Sequence, residues 1–274
     1  MHLLLLNLLS TRINMNFKSY IASIIPKKGF PFLRSLYYRI NRFLYSGSGI
    51  QCPICERDYK KFLPGVGNKL NSRCPGCGTA ERHRLLWLYL QNKINIHKEK
   101  LNLLDIAPDQ AIQKKLKSMS NINYLSIDLD STLAMQKKDL TNLEFDDNTF
   151  GGIICYHVLE HIPDDQRAIE EVFRVLKPGG WAILQSPVDI ERDITLEDPT
   201  ITSPQERLQH FGQEDHVRIY GRDYIERLKG PGFVVIEDNF VLDLGEEKIK
   251  LYGLDREEVI YFCRKPINGK MIQA

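Results

Sequence analysis

The 274-residue sequence has no apolar run approaching the roughly 18 residues that a membrane-crossing helix needs. Leu3–Leu9 is apolar but too short, and no small-residue cleavage pattern follows it, so it does not read as a secretory signal. Met15 is an alternative start, which would make the preceding residues an extension. Internal repeats and low-complexity tracts are also missing, which excludes a solenoid or a linker-like chain. Acidic residues are absent from residues 1–50, which hold seven Lys or Arg, whereas the remainder carries 30 basic against 35 acidic residues. A mildly acidic body argues against a large nucleic-acid surface on it. Nor do the six cysteines suggest a disulfide scaffold, because four of them form two CxxC pairs, a pattern of metal and of a reducing compartment. The body is read as cytoplasmic. With 43% hydrophobic residues, the chain can bury one substantial core and a small extra module.

What is present divides into three regions. Residues 1–49 form a basic arm in which Phe32, Leu33, Leu36, Tyr37, Ile40 and Leu44 share one helical face and Arg34, Arg39 and Arg42 another. That pattern reads as membrane-surface contact through residues 31–45, as docking on the body, or as contact with an RNA backbone. A transit-like segment is a further reading, since the arm is poor in acids. The membrane reading would make the protein peripheral to a membrane. Residues 50–80 hold the CxxC pairs among Pro and Gly. Residues 81–268 alternate helix and strand patterns, which predicts a mostly parallel sheet.

In the second region, Cys52-Pro-Ile-Cys55 and Cys74-Pro-Gly-Cys77 are separated by residues 56–73. Two such turns can each present two thiolates to one tetrahedral zinc ion, and Gly76 and Gly78 permit the turn geometry. All four positions are then filled, so the zinc would be structural, folding a module too small for its own core. The alternative is a set of reduced cysteines or a redox pair. Cys155 and Cys263 lie in apolar strands and read as buried free thiols.

The third region begins with strands over Leu101–Ile106 and Asn123–Asp128, joined by a helix over Gln110–Met119 that Asp109 would cap. A third strand precedes Tyr156-His157-Val158-Leu159-Glu160-His161-Ile162-Pro163. Asp164 and Asp165 then start a helix whose apolar residues Ala168, Ile169, Val172, Phe173, Val175 and Leu176 recur at helical spacing. Lys177-Pro178-Gly179-Gly180 is expected to break the chain before a strand at Trp181–Leu184. Two late strands are expected over 233–236 and 259–263.

The Leu159–Asp165 and Leu176–Leu184 pieces, with Asp105 and Asp128 at strand ends, resemble a class I S-adenosylmethionine-dependent methyltransferase with a type 11-like domain. The arrangement of CPxC turns followed by Glu81-Arg-His-Arg-Leu-Leu-Trp87 resembles bacterial methyltransferase-domain proteins carrying an N-terminal zinc module. The likeness covers roughly residues 50–265 and implies a Rossmann-like seven-stranded α/β domain with a zinc-ribbon-like module. It also implies S-adenosyl-L-methionine as cofactor, held at Asp105, Ile106, Ala107, Pro108, Asp128, Leu129, Asp139, Leu140 and Tyr156. Asp128 would accept from the ribose hydroxyls, Asp139 from the adenine amine, and Leu140 would touch the ring. The chain departs from the family in the first turn, where Ala107 and Asp109 stand in place of glycines. An Asp109 carboxylate beside the cofactor's own carboxylate would repel it unless it caps the helix or meets the amino group.

On the acceptor side, His157 and His161 follow the third strand, and histidine is the natural base near neutral pH. Packing or capping of the next helix is the alternative for the pair. Asp215 and His216 lie in a loop dense in polar groups and could form an acid–base pair, with Arg218 holding an anionic acceptor. Three functions follow. One is methyl transfer to a hydroxyl or similar group of a small molecule or glycan. The second is RNA methylation using the arm and zinc module; against it, the turn after the third strand lacks Asn-Pro-Pro-aromatic, and no Pro-Cys nucleophile motif occurs. The third is a non-catalytic scaffold, suggested by the missing glycines.

Overall fold

Short apolar runs separated by amphipathic helices fold here into a parallel sheet, because each run buries both faces only when helices cover it. The computed structural model describes residues 30–65, 69–98 and 100–267. Their backbone contacts group into two units: residues up to 94 with 241–258, and residues 95–240 with those from 259 onward.

In the first unit, α1 (Phe30–Leu44) leads into the antiparallel hairpin β1 (Ser46–Cys52) and β2 (Arg57–Tyr59), followed by α2 (Glu81–Asn92). The side of α1 that is covered carries Tyr38 and Asn41, at 6% and 8% exposure, and Arg42 donates from Nη2 to the Gly76 carbonyl. Leu33, Leu36, Ile40, Phe43 and Leu44 face outward. Tyr38, Asn41 and Arg42 make the helix's contacts within this unit, and its aliphatic face is exposed.

The second unit holds β3 (Leu101–Ile106), α3 (Gln110–Lys117), β4 (Ile122–Asp128), β5 (Gln136–Lys137) and β6 (Phe150–Tyr156). After a 3-10 turn at Leu159–His161 come α4 (Asp165–Val175), β7 (Leu176–Gln185), β8 (Leu196–Glu197), α5 (Pro204–Phe211), β9 (Arg218–Ile219) and α6 (Tyr224–Lys229). β10 (Val234–Asp238) and β11 (Ile260–Arg264) complete it. The main sheet runs β10-β11-β7-β6-β3-β4-β5, parallel except where β11 meets its two neighbours. This is a seven-stranded, mostly parallel Rossmann-like sheet. The core packs Ala168, Ile169, Val172 and Val175 of α4 on Leu104, Ile153, Cys155 and Leu184 of the strands.

Asp164 caps α4 by accepting from the Arg167 amide at 3.0 Å, as its sequence suggests. The expected break at Lys177–Gly180 is instead the first half of β7. The four residues are absorbed as an irregularity, since Phe150 pairs with Leu176 and Gly152 with Trp181. Gly152 is required there: a Cβ would lie 2.6 Å from the Trp181 indole.

The chain returns to the first unit through α7 (Phe240–Asp243) and α8 (Glu246–Tyr252). Gly253 closes α8 at φ +55°, and a Cβ there would meet Phe62 at 2.5 Å. Arg84 of α2, with no exposed surface, holds these pieces together. Its guanidinium donates to the carbonyls of Tyr252 at 2.6 Å, Gly253 at 2.7 Å, Ser72 at 2.8 Å and Thr79 at 3.1 Å, and lies 3.8 Å over the Phe62 ring. Replacement by Arg84→Met would strand the carbonyls of Ser72, Tyr252 and Gly253, each at a cost on the order of 1–3 kcal/mol, whereas Thr79 keeps the Cys74 amide. The variant should lose about 3 kcal/mol or more in urea unfolding, and an unchanged midpoint would show that these bonds carry no net weight.

Candidate functional site

The sheet itself selects the place for a ligand. β3 has β4 on one side and β6 on the other, so the connections leaving β3 and β6 diverge and open a crevice beyond their carboxyl ends. The register sets Asp105 beside Ile154 and Ser126, and Ile106 beside Cys155 and Ile127. Ala107, Asp128 and Tyr156 consequently share one edge.

Ala107 sits at φ +54°, in the left-handed region that favours glycine, and its amide donates to the Ile127 carbonyl at 2.9 Å. The tight turn expected of glycine is thus made by alanine, at a cost of roughly 1–2 kcal/mol. Pro108 is buried behind it. The Asp109 carboxylate accepts from the amides of Ala111 at 2.9 Å and Ile112 at 3.2 Å, so its charge is spent on capping α3. Of the two placements expected for it, the carboxylate takes the capping one.

Asp105 is 3% exposed, and its Oδ2 accepts from the Tyr124 hydroxyl at 2.7 Å. Burial pushes its carboxyl up to about 7, against the pull of that bond, and Asp109 adds to the rise. At the end of β4, Asp128 accepts through Oδ1 from the amides of Asp130 and Ser131 at 2.8 and 2.7 Å. Leu129 follows it with half its surface exposed. Asp139 is exposed and accepts from the amide and hydroxyl of Thr141 at 2.8 Å. Leu140 is 4% exposed and belongs to the core.

On the other side of the crevice, Tyr156 ends β6 at 8% exposure. His157 then adopts φ +59°, its amide donating to Gln185 of β7 at 2.8 Å. Its Nδ1 lies 3.3 Å from Oε1 of Glu160, which is 2% exposed, while Ser186 donates to Oε2 at 2.9 Å. Glu160 remains below the usual carboxylate range: burial opposes ionisation, but the contacts and charges of His157 and His161 outweigh it. His161 Nδ1 lies 3.1 Å from the Asp215 backbone oxygen and 3.6 Å from its carboxylate. The rings of His161 and His216 meet edge to face at 4.8 Å. His216 is pushed below the usual imidazole range by burial and then by the charge of His161.

These contacts revise the acceptor side. His161, not His216, is the partner of Asp215. Arg218 is 3% exposed and donates to the carbonyls of Leu159, Ile162 and Pro163 and, at 2.9 Å, to Glu197. Its donors are committed to bracing the 3-10 turn, so it does not hold an anionic acceptor. Sequence reasoning missed Glu160 and Tyr124. Glu160 had a signal, since it lies three residues from one histidine and next to another; Tyr124 had none beyond strand alternation.

In the first unit the four sulfurs of Cys52, Cys55, Cys74 and Cys77 lie within 4.8 Å of one another. Cys52 and Cys77 approach to 3.6 Å, and Cys55 and Cys74 to 3.7 Å. A tetrahedron with zinc–sulfur bonds of about 2.3 Å spaces its sulfurs about 3.8 Å apart, so the donor set and its dimensions fit that ion. The amide of Gly76 points at the Cys74 sulfur from 3.4 Å, and the Tyr59 hydroxyl lies 3.4 Å from Cys55.

Residues 74–184 match the methyltransferase domain family. A ubiquinone biosynthesis O-methyltransferase of Coxiella burnetii is 37% identical over 79 residues, 29% of this chain and 27% of that protein. A demethylmenaquinone methyltransferase of Staphylococcus carnosus is 32% identical over 130 residues, 47% and 46% respectively. The chain thus spans between about a quarter and a half of the length of these curated relatives. The crystal structure of the [4+2]-cyclase SpnF aligns with 68% of this chain and 81% of that one, at 16% identity and a TM-score of 0.46. Among the described residues, no helix is long and apolar enough to cross a membrane.

The raised Asp105 carboxyl has a consequence for stability. Between the unfolded value near 4 and the folded value of about 7, the folded state holds a proton that the unfolded chain has lost. Stability should therefore fall as pH rises across that interval, by at most about 1.4 kcal/mol per pH unit, and level off above it. Asp105→Asn removes the titrating group, so its loss between pH 5 and pH 8 should be smaller than that of the wild type in urea unfolding. Equal losses would assign the slope to other groups.

Proposed function

We propose that this chain is an S-adenosylmethionine-dependent methyltransferase acting on a hydroxyl or similar group of a small molecule or glycan. The observation that carries the reading is the meeting, at the one edge where the strand order reverses, of the left-handed Ala107 turn, Asp128 and the Tyr156–His157 turn. The match to the methyltransferase domain over 74–184 supports it, as do the O-methyltransferase and menaquinone relatives.

The residues present fit the cofactor. Ala107 is the smallest residue after glycine, and its turn brings backbone close to the crevice. Asp128 offers the ribose diol a carboxylate already oriented by two amides. The exposed Leu129 and Met135 offer apolar surface suited to adenine. Asp105 beneath the turn would gain its charge as the cofactor's ammonium approaches. The bound cofactor would supply a sulfonium methyl group, displaced in line by the acceptor oxygen, with the bonding pair returning to sulfur. In this reading His157 takes the acceptor's proton once its Nε2, buried here, is uncovered. The contact between its Nδ1 and Glu160 fixes the ring and favours the tautomer with its lone pair on Nε2.

Titration of S-adenosylmethionine into the protein should show binding in the micromolar range. Asp128→Ala should weaken it about tenfold or more while the domain stays folded. Equal affinity of the two proteins would remove Asp128 from the site, and no binding by the wild type would favour a scaffold.

We further propose that Cys52, Cys55, Cys74 and Cys77 hold one structural zinc ion. The support is the sulfur spacing and the saturation of all four positions by thiolates. Purified protein should contain one zinc per chain, and Cys77→Ala should lose both the metal and several kcal/mol of stability. A zinc-free protein of the same stability would overturn the assignment.

A further inference from the structure

Three side chains just beyond β6 remain to be explained. Glu160, His161 and His216 each offer a ligand atom, and these atoms lie within 4.8 Å of one another. Glu160 and His216 are buried, at 2% and 7% exposure, and His161 is partly exposed. They come from the 3-10 turn and from the loop before β9, segments 55 residues apart that the Val217 amide joins by donating to the Glu160 carbonyl at 3.0 Å. A packing role alone does not account for this chemistry. Two imidazoles and a buried carboxylate converge where each protonated histidine would repel the other.

From this geometry we infer a second metal site, in which His161, His216 and Glu160 bind a divalent first-row transition ion. Two nitrogens and one carboxylate oxygen form the facial set that such ions accept with coordination positions left open. The supporting contacts are those that ligands require. Asp215 fixes the His161 ring through its backbone oxygen at 3.1 Å, and Ser186 and His157 fix the Glu160 carboxylate. Arg218 and Arg227 are already paired with Asp165 and Glu197.

The position gives the ion a role. It stands beside His157 at the acceptor side of the crevice, and its open positions suit an acceptor with two adjacent oxygens, such as a catechol or vicinal diol. That role rests on the methyltransferase reading; the site itself does not.

The test uses full-length, zinc-loaded protein and manganese(II), a hard ion that a four-thiolate site disfavours. Paramagnetic resonance of free manganese should show one equivalent taken up per chain. Glu160→Gln and His216→Gln should each weaken uptake at least about tenfold, with zinc content unchanged. His161→Asn, at a partly exposed position, gives the same reading should the buried variants fold poorly. No uptake by the wild type, or equal uptake by folded variants, would overturn the site. S-adenosylmethionine titration of the same samples reads the methyltransferase proposal separately, so either can fail alone.

Discussion

Two parallel strands, β3 and β6, lie side by side while the chain leaves them toward opposite ends of the sheet. Everything proposed for the second unit depends on that constraint. No connection can cover the space between their carboxyl ends without crossing the crevice, so backbone amides and polar side chains remain available there. The same register that buries Leu104, Ile106, Ile153 and Cys155 delivers Asp105, Ala107, Tyr156 and His157 to one edge. Packing and site are therefore set by one pairing, and a slip of one residue would cost both.

The first unit solves a different problem. A hairpin of ten strand residues and two knuckles cannot enclose a core of its own. It relies on a cluster of sulfurs at one end and on Arg84 at the other, which binds the carbonyls of both the knuckle segment and the α8 terminus. Burial disfavours the charge of Arg84, while Cys52, Cys74 and Glu81 favour it. Glu81 is itself kept ionised, at about 2, by Ser72 and Lys69 against the cost of burial. The cysteine end and the guanidinium end are thus coupled through charge as well as through the chain.

The parts of this structure that were legible in the sequence are those governed by neighbours along the chain. β3 follows from five apolar or β-compatible residues around one acid, α4 from its spacing and its Asp164 cap, and the knuckles from two CPxC turns. Long-range partners left no such mark. Arg218 looked like a surface anion binder because nothing local shows that three carbonyls from residues 159–163 surround it. Glu160 was passed over because its burial depends on Ser186 and on the loop at 215–217. The partner of α1 stayed open for a similar reason, since periodicity shows that a helix has a face and not which partner takes it.

Two of the non-glycine residues at positive φ stand at the ends of the two strands that flank the crevice. Ala107 and His157 are both non-glycine and both left-handed, and each follows one of the two strands that flank the crevice. Each is fastened outward, Ala107 to Ile127 of β4 and His157 to Gln185 of β7, so the bonds that hold the strained turns also draw them apart. Alanine and histidine give up roughly 1–2 kcal/mol each in this conformation. A glycine would relieve that strain, but at 157 it would delete the imidazole that meets Glu160, and at 107 it would loosen the turn in the unfolded and folded chain alike. Strain on both lips of the crevice is what a site looks like when its side chains are worth more than local stability.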